Sequence, residues 1–400
     1  MAQQLQILQR VGVIGGGQLA SMMAGSAPSL GVSVAVQTPH ANDPAVSLAT
    51  ETIFAEIEDA QATAELANHC DVITFENEFV DLERLFPLSQ QGVCFRPRLE
   101  ALSLLLDKYD QLCFLQELGL PIPQFKALTR GEDEDQVLHT IEKAWGFPVV
   151  LKTRRHGYDG QGTFILKDDA SLRSTWEKLG HRSLLLQEFI PFQTELAVIA
   201  ARSVTGEVAV YPVVETYQID QVCRWVIAPA NIPPALTSQL NAIAHTLLNS
   251  LQAVGVFGIE LFLTPSGQIY LNEIAPRTHN SGHFTLDACQ TSQFEQHLRA
   301  VCGFPLGDPQ MHCPGAIMVN LLGYEQAKAE PGTSPVLYLE KQQQLAEIPG
   351  AFVHWYGKTE SRPGRKLGHV TVLLKSQSPE PRQTEAYAIA QEVESIWYAR

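Results

Sequence analysis

The sequence has few basic residues. Lysine and arginine together number 28, against 43 aspartates and glutamates, which gives a formal net charge of −15 at pH 7. An acidic chain repels phosphate backbones and anionic lipid headgroups, so we expect no nucleic-acid partner and no membrane partner. Any phosphorylated ligand must therefore be held by a local group of positive charges.

The sequence also lacks long apolar runs and paired cysteines. No stretch approaches the ~20 apolar residues of a membrane-spanning helix. The opening MAQQLQILQRVGVIGGG has neither the basic start nor the apolar centre of a secretory signal, which predicts a cytoplasmic protein. The seven cysteines are odd in number and scattered without a CxxC pair. We therefore expect free, buried thiols, and neither a disulfide framework nor a zinc site.

The apolar content is sufficient for several cores. The chain has 400 residues, of which 45% are hydrophobic, and domains usually span ~100–200 residues, so two or three units are expected. In the first third, the strand-like runs RVGVIG, VSVAVQ and DVITFE alternate with helix-like stretches, which predicts βαβ units with a parallel sheet. One long helix is predicted over about 99–118, ending at Gly119.

The pattern changes after residue 147. Short apolar strands separated by glycine turns predict antiparallel pairs in an α+β unit. Helices are predicted over about 234–251 and 293–301, and a closing helix near 383–398. The fold class is therefore a combination of α/β and α+β units.

A glycine turn follows the first predicted strand. Residues 15–20, GGGQLA, fit the pattern G-x-G-x-x-A, which is typical of a tight turn that opens a helix towards an anion. The second predicted strand runs into Thr38 and Pro39 instead of the acidic residue that holds the ribose of NAD. A phosphorylated metabolite at this turn is favoured over NAD, with a purely structural turn as the alternative.

A second glycine-rich segment follows Lys152. Gly157, Gly160 and Gly162 would let a loop close over phosphates with its backbone N–H groups, while Lys152 supplies a positive charge. A plain surface hairpin remains the alternative. Downstream, Gln187, Glu188 and the residues to Pro191 offer the backbone groups and the carboxylate that an adenosine pocket needs, although an exposed strand end would have the same pattern.

The segment FGIELFLTPSGQIYLNEIAPR carries the strongest chemical signal. Folding it about the turn Thr264–Gly267 sets Glu260 opposite Glu273 on one face of a hairpin. Two facing acids in apolar strands need a cation between them, and together with Asn272 they are hard oxygen donors suited to Mg²⁺. Two solvated acids on an edge hairpin are the alternative, and a shift of the strand register by one residue would separate the two acids.

Two polar segments complete the pattern. Arg277 opens the dense run RTHNSGH, and an arginine beside a metal-bound phosphate would neutralise charge during phosphoryl transfer. Near the C-terminus, HWYGKTESRPGRKLGH holds Lys358, Arg362, Arg365 and Lys366. This segment is either a clamp for a single phosphate or a solvated basic loop.

Together these residues resemble the ATP-grasp superfamily and, within it, the N5-carboxyaminoimidazole ribonucleotide synthetase family. The resemblance covers nearly the whole chain and rests on GGGQLA, TRRHGYDGQGT, NEIAPRTHNSGH, SQFEQHLRA and HWYGKTESRPGRKLGH, in the family's order. It implies a Rossmann-like pre-ATP-grasp domain over residues 1–106, an ATP-grasp domain over 107–310 and a small β-rich C-terminal domain over 311–400.

The resemblance also implies an activity and its participants. Mg²⁺ and ATP would activate bicarbonate as carboxyphosphate, which carboxylates 5-aminoimidazole ribonucleotide in purine biosynthesis, in a protein that is usually a homodimer. A formate-dependent glycinamide ribonucleotide transformylase, which shares the phosphate clamps, is the alternative. A nucleotide sensor or a nicotinamide-dependent dehydrogenase would be a candidate from another class.

Site residues follow from the resemblance by position. It implies an ATP site formed by Lys108, Lys152, Gly157, Tyr158, Asp159, Gly160, Gln161, Gly162, Thr163, Glu188, Phe189, Ile190, Pro191, Glu195, Gln218, Asn272 and Glu273. It implies a ribonucleotide site formed by Gln18, Leu19, Glu76, Asn280, Lys358, Arg365 and Lys366. The magnesium ligands would be Glu260 and Glu273, and the catalytic group Arg277, His279, Tyr158 and Asp159.

Three positions depart from the family pattern. Lys108 stands where relatives commonly have arginine, and Gln218 where some have histidine. The segment TFENEFVD extends a shorter acidic motif, which leaves the role of Glu78 open.

Overall fold

A computed structural model describes residues 7–129, 131–155, 157, 162–180, 182–328 and 338–399. The first unit is a parallel four-stranded sheet of order β3-β2-β1-β4. Its strands are β1 (Arg10–Ile14), β2 (Ser33–Thr38), β3 (Glu51–Phe54) and β4 (Val72–Phe75). Its helices are α1 (Gln18–Ser26), α2 (Ala60–His69), α3 (Leu82–Gln90) and α4 (Leu99–Ser103). The predicted βαβ start is confirmed, and β3 is an additional strand.

The middle of the chain forms antiparallel sheets, as the glycine-separated strands predict. A four-stranded sheet of order β5-β8-β6-β7 packs with two helices. Its elements are β5 (Phe125–Leu128), α6 (Glu134–Ala144), β6 (Val149–Thr153), β7 (Thr163–Leu166), α7 (Asp169–Lys178) and β8 (Leu184–Glu188). α5 (Lys108–Glu117) precedes them.

A larger sheet is formed by strands that lie between β9 and β19 in the sequence. Its order is β14-β13-β9-β11-β12-β15-β19-β17, with β10 paired to β9. Its first strands are β9 (Thr194–Arg202), β10 (Val208–Val210), β11 (Val214–Ile219), β12 (Val222–Ala228), β13 (Gly255–Leu263) and β14 (Ile269–Ala275). The helices α8 (Pro234–Leu251), α9 (Thr285–Ala288) and α10 (Gln293–Cys302) accompany them.

The last ninety residues add strands to this same sheet. They contain β15 (Gly315–Leu322), β16 (Ala327–Lys328), α11 (Leu339–Ala346), β17 (Ala351–Trp355), β18 (Glu360–Ser361), β19 (Lys366–Leu374) and α12 (Pro379–Trp397). β15, β17 and β19 join the large sheet, whereas β16 and β18 pair with each other in a separate two-stranded sheet. β15 pairs with β12 from Trp225↔Val319 to Ala228↔Ala316. The strand pairing therefore crosses the boundary predicted at residue 310, which brings the C-terminal basic segment beside the middle of the chain.

The single helix predicted over 99–118 is wrong, because two helices, α4 and α5, occupy this stretch. Asp107 lies between them with extended backbone angles, and its carboxylate accepts from the N–H groups of Tyr109 and Asp110. This capping starts a new helix at Lys108. The predicted helix at 234–251 is confirmed, and the closing helix begins earlier than predicted, at Pro379.

The N-terminal sheet is not a separate lobe. Leu19 and Met23 of α1 share a buried cluster with Phe294 and Leu298 of α10. Burial of large apolar side chains stabilises this contact by roughly 1.5–3 kcal/mol for each. The glycine turn before α1 is thereby held against the polar segment before α10.

The sequence predicts no membrane-spanning helix and no disulfide framework. None of the helices in the described part of the chain is both long and apolar enough to cross a bilayer. All seven cysteines are free thiols, but only Cys289 and Cys302 are buried and the other five are half-buried.

Gln111 is a buried polar residue that joins α5 to β14. Its side-chain amide donates to the carbonyls of Leu105 and Ile274, and its oxygen accepts from the N–H of Ile274. Replacing it with leucine leaves three buried backbone groups without partners. We expect Gln111→Leu to lower the free energy of unfolding by about 2 kcal/mol or more, measured as a shift in the urea midpoint.

The control is Gln116→Leu, at an exposed position on the same helix. It should leave the midpoint nearly unchanged. Equal shifts in the two variants would contradict a joining role for Gln111.

Candidate active site

A cavity of about 1300 Å³ lies where the three parts of the chain meet. It gathers most of the residues that the sequence singles out for binding or catalysis. They are Gln18, Leu19, Glu76, Lys108, Lys152, Gly157, Thr163, Glu188, Phe189, Ile190, Glu195, Gln218, Glu260, Asn272, Glu273, Arg277, His279, Asn280, Lys358, Arg365 and Lys366. Gly162 and Pro191 are not among its lining residues, and Tyr158, Asp159, Gly160 and Gln161 lie outside the described residues.

The glycine turn at one end of the cavity already holds an anion from the protein itself. The carboxylate of Glu76, at the end of β4, accepts from the N–H groups of Gly17 (2.7 Å) and Leu19 (3.1 Å). A Cβ on Gly17 would lie 2.4 Å from Glu76 Oε1, and Gly15 has a φ of +115°. The sequence pattern alone predicts an external phosphate at this helix start, but the structure places Glu76 there.

The predicted pair of carboxylates faces each other. Glu260 of β13 and Glu273 of β14 are direct partners across the strands. The next pair is Leu261↔Leu271, so Asn272 is an extra residue in a β-bulge. A bulge re-aims the side chains around it. The Asn272 amide contacts Glu260 Oε2 (3.3 Å) and accepts from Lys152 Nζ (2.9 Å).

Positive groups surround the two carboxylates. Lys108 forms an ion pair with Glu273, and His279 Nε2 lies 3.3 Å from Glu260. Burial raises the pKa of Glu260, but the hydrogen bond from His279 and the charges of His279, Lys108 and Lys152 outweigh this and lower it. Glu260 is therefore ionised at neutral pH and able to bind a cation.

Lys152 is a buried lysine with an altered titration. Its side chain is 8% exposed. Burial and the nearby positive charge of Lys108 lower its pKa to about 8. The lysine remains mostly charged at neutral pH, and an arriving anion such as a phosphate would favour its charged form further.

Glu195 titrates in the opposite direction. Its partial burial and the negative charge of Glu260 raise its pKa to about 7, against an opposing hydrogen bond from Gln218. Gln218, which is one of the positions that depart from the family pattern, therefore contacts a carboxylate of the predicted adenosine site.

Arg277 forms an ion pair with Glu78, an acidic residue whose role the sequence leaves open. Its Nε lies 2.9 Å from a carboxylate oxygen of Glu78, and both side chains are mostly shielded from solvent. Glu78 belongs to the extended TFENE motif after β4. The sequence shows that this motif contains a second acidic residue. No pattern in the sequence shows which basic residue that acid contacts.

The C-terminal basic segment closes the other end of the cavity. Lys358 Nζ donates to Gln18 Oε1 (2.5 Å) and to the carbonyl of Lys366 (2.8 Å). The contact joins this segment to the residue that follows the glycine turn. Arg365 lies near Glu360, with 3.9 Å between their charged atoms.

Asn280 is fixed by a residue that sequence reasoning missed. Its amide exchanges two hydrogen bonds with that of Asn320, at 3.0 and 2.8 Å. Asn320 is buried in the middle of β15 and also donates to the carbonyl of Cys223. A lone asparagine in an apolar strand gave no sign of this pairing.

Aromatic side chains also line the cavity without having been predicted. Phe192 stacks on Phe262 with 4.6 Å between ring centroids, and Tyr217 stacks on Trp225 at 4.2 Å. They lie on or beside the strands that carry Glu195, Gln218 and Glu260. Flat apolar surfaces of this kind suit a planar ring such as a nucleobase.

The arrangement has two differently charged ends. One combines Lys108, Lys152, Glu260 and Glu273 beside the glycine-rich segment, which suits a nucleoside triphosphate with a divalent cation. The other combines Lys358, Arg365 and Lys366, which suits a second anionic ligand. Arg277 lies in the wall of the same cavity, so the two ligands could react there.

Three family models match this chain. A Ribonucleotide synthetase preATP-grasp domain matches residues 8–105, an ATP-grasp domain matches 113–294, and a Phosphoribosylaminoimidazole carboxylase C-terminal domain matches 316–380.

Similar whole proteins include N5-carboxyaminoimidazole ribonucleotide synthases and proteins named phosphoribosylaminoimidazole carboxylase. The N5-carboxyaminoimidazole ribonucleotide synthase of Synechococcus elongatus is 54% identical over 390 residues, covering 98% of this chain and 96% of that protein. The crystal structure of the Aspergillus clavatus enzyme complexed with ATP has a TM-score of 0.86 at 32% identity, covering 97% of this chain and 99% of that one. The structure of N5-carboxyaminoimidazole synthase from Aspergillus clavatus with ADP and 5-aminoimidazole ribonucleotide has a TM-score of 0.85 at 31% identity, covering 96% of this chain and 98% of that one.

The lowered pKa of Lys152 can be tested directly. Competitive acetylation at a series of pH values, followed by mass spectrometry of the peptide with Lys152, should give a midpoint near pH 8. Lys108→Met removes the positive neighbour and also releases the carboxylate of Glu273. We expect both effects to move the midpoint up by roughly one pH unit.

Lys143→Met is the control, since Lys143 is exposed on α6. It should leave the midpoint in place. A midpoint that stays or falls in Lys108→Met would contradict the electrostatic coupling of the two lysines.

Proposed function

The chain belongs to the N5-carboxyaminoimidazole ribonucleotide synthase family, and from this premise we propose how its cavity carries out the reaction. It is an ATP-dependent ligase of purine biosynthesis. A bicarbonate oxygen attacks the γ-phosphorus of ATP, and ADP leaves, which gives carboxyphosphate. The amine of 5-aminoimidazole ribonucleotide then forms a C–N bond to the carboxyl carbon as phosphate leaves.

One observation carries this proposal. The single cavity joins the acidic pair and its lysines to the basic C-terminal segment, with Arg277 in the same wall. An enzyme that couples ATP cleavage to reaction at a phosphorylated ribonucleotide needs these features together. The Aspergillus clavatus protein, which has the same fold, was crystallised with both ADP and 5-aminoimidazole ribonucleotide.

At the ATP end of the cavity, Lys108 and Lys152 bind the phosphates. The family resemblance assigns Gly157 to Thr163 to a loop over the phosphates, with Tyr158 and Asp159 as further active-site residues, although residues 158–161 lie outside the described part of the chain. The segment from Glu188 to Pro191 holds adenosine together with Glu195 and Gln218. The raised pKa of Glu195 lets it donate or accept a hydrogen bond near neutral pH.

The acidic pair fits a divalent cation. Glu260 and Glu273 face each other, and Asn272 adds an amide oxygen, a donor set of hard oxygens that suits Mg²⁺. Mg²⁺, when bound with ATP, would neutralise the charge of the phosphates. Lys108 and His279 now contact these carboxylates and would release them to the cation.

At the reacting centre, Arg277 faces the negative charge that develops on carboxyphosphate. Glu78 holds the guanidinium from the other side and fixes its direction. His279 is kept in place by Glu260 and by Ser281 Oγ, 2.8 Å from its Nδ1. The residues present thus orient the ligands and stabilise negative charge.

The ribonucleotide end consists of the basic segment and the glycine turn. Lys358, Arg365 and Lys366 bind the phosphate, while Gln18 and Leu19 bind the sugar side. Asn280, fixed by Asn320, lines the same cavity and contacts the ligand. Glu76 keeps the glycine turn in shape and excludes a phosphate from the start of α1, so the phosphate is directed to the basic segment.

The relatives favour this function over the transformylase alternative, because they carry the name of the carboxylating enzyme. We further infer that the protein acts as a homodimer in the cytoplasm. The family resemblance supports this inference.

The direct test is substrate-dependent ADP release. With ATP, Mg²⁺, bicarbonate and 5-aminoimidazole ribonucleotide, the purified protein should release ADP faster than when the ribonucleotide is omitted. Replacing bicarbonate by formate and the imidazole by glycinamide ribonucleotide should abolish the stimulation. Equal or greater stimulation by the second pair would favour the transformylase.

Glu273 gives a residue-level prediction. Glu273→Gln keeps the shape of the side chain but removes the charge that would hold Mg²⁺, so kcat should fall on the order of a thousandfold. The control is Glu207→Gln, at an exposed position outside the cavity, which should retain wild-type activity. Near-wild-type kcat in Glu273→Gln would refute the metal-binding role.

A further inference from the structure

A group of histidines lies outside the cavity described above. His354 of β17 and His369 of β19 are direct partners across two antiparallel strands, so their side chains lie on the same face of the sheet. Asp287 of α9 packs against them from the middle part of the chain. One potential ligand atom from each of these three residues lies within 4.8 Å of those from the other two.

Hydrogen-bond contacts orient both histidine rings. His354 Nε2 lies 2.8 Å from Asp287 Oδ2, and 92% of the Asp287 side chain is shielded from solvent, since its relative exposure is 8%. His369 Nδ1 lies 2.8 Å from the hydroxyl of Tyr356. A histidine that binds a metal through one nitrogen usually has its other nitrogen held by a hydrogen bond in this way.

The remaining nitrogen of His369 is unusual. His369 is completely buried, and its Nε2 has no hydrogen-bond partner among the residues that the structure describes. A buried polar atom without a partner costs about 1–3 kcal/mol, so native proteins rarely leave one.

We propose that Asp287, His354 and His369 form a binding site for a divalent transition-metal ion, with zinc the best match. Two imidazole nitrogens and one carboxylate oxygen are typical zinc ligands, whereas magnesium prefers oxygen alone. The two rings are now stacked, with 4.5 Å between centroids and 14° between planes. Coordination therefore requires His354, whose side chain is 31% exposed, to turn its nitrogen towards that of His369.

The position suggests a structural purpose. α9 follows the turn that carries Asn280, while β17 and β19 flank the segment from Lys358 to Lys366. An ion bound to Asp287 and the two histidines would connect α9 to β17 and β19. It would thereby stabilise the two walls of the cavity relative to each other. The proposal concerns metal binding alone and does not depend on the proposed reaction.

Cysteine spacing could not reveal this site. The sequence predicts no zinc site because the cysteines are scattered, and Asp287 and His354 are 67 positions apart in the chain. Only the pairing of β17 with β19 and the packing of α9 bring the three residues together.

The test uses the full chain, stripped with a chelator and then titrated with Co²⁺ or Zn²⁺ in the presence of excess Mg²⁺ and ADP. We expect one tightly bound equivalent, the visible absorption of Co²⁺ bound by nitrogen, and a higher melting temperature. His354→Gln and Asp287→Asn should each weaken binding about 100-fold or more, and Tyr356→Phe about 10–100-fold, since it removes the group that orients His369.

Two controls separate this site from other sites. Glu260→Gln alters the acidic pair in the cavity, and His69→Ala removes an exposed histidine that pairs with Glu51. Both variants should bind Co²⁺ like the wild type. Circular dichroism should show that every variant is folded, and Asp287→Asn, which keeps the size of the side chain, serves where His354→Gln is unstable.

The proposal is overturned if the wild type binds no stoichiometric Co²⁺. It is also overturned if binding is unchanged in both His354→Gln and Asp287→Asn, or is lost in Glu260→Gln or His69→Ala.

Discussion

Two carboxylates that face each other across a hairpin determine how this active site is built. Glu260 and Glu273 are held opposite by the pairing of β13 with β14, and their mutual repulsion in a partly buried place must be offset. The chain offsets it with Lys108, His279 and the Lys152–Asn272 contact. These positive and polar groups are also those that a bound nucleotide and its cation would use.

A second constraint is the continuity of the large sheet. Because β15 pairs with β12, the C-terminal strands extend the sheet that carries the acidic pair. The basic segment between β17 and β19 therefore reaches the glycine turn, where Lys358 contacts Gln18. Glu76 accepts from the N–H groups at the start of α1, and the proposed function therefore assigns the phosphate to this basic segment. The acidic net charge of the protein is consistent with this arrangement, since positive charge is concentrated where ligands are needed.

Local patterns predicted much of this structure. The turn at Thr264–Gly267 predicted the hairpin that carries Glu260 and Glu273. The register next to the turn would place Glu260 opposite Asn272, and the β-bulge at Asn272, which the sequence does not show, places it opposite Glu273. The helix from Pro234 to Leu251 followed from its own periodicity and its starting prolines. The predicted long helix failed at Asp107, where a side-chain cap and a contact from Lys108 N–H to the carbonyl of Arg154 start a new helix. That contact is between distant segments, which periodicity does not encode.

Pairings between distant side chains could not be predicted. Glu78 with Arg277 and Asn280 with Asn320 each join segments that meet only after the sheets have formed. The sequence named one member of each pair from its chemistry, but it contains no local signal for the other. The histidines at 354 and 369 were likewise unremarkable until strand pairing placed them opposite each other.

Under the proposed function, one cavity transfers the γ-phosphoryl group of ATP to bicarbonate and then the carboxyl group to the ribonucleotide amine. Bicarbonate labelled with ¹⁸O tests it most directly, with the released phosphate examined by mass spectrometry. We expect one ¹⁸O atom in each phosphate formed, since the bridging oxygen of carboxyphosphate comes from bicarbonate. Unlabelled phosphate from labelled bicarbonate, with the carboxylated product still formed, would contradict it.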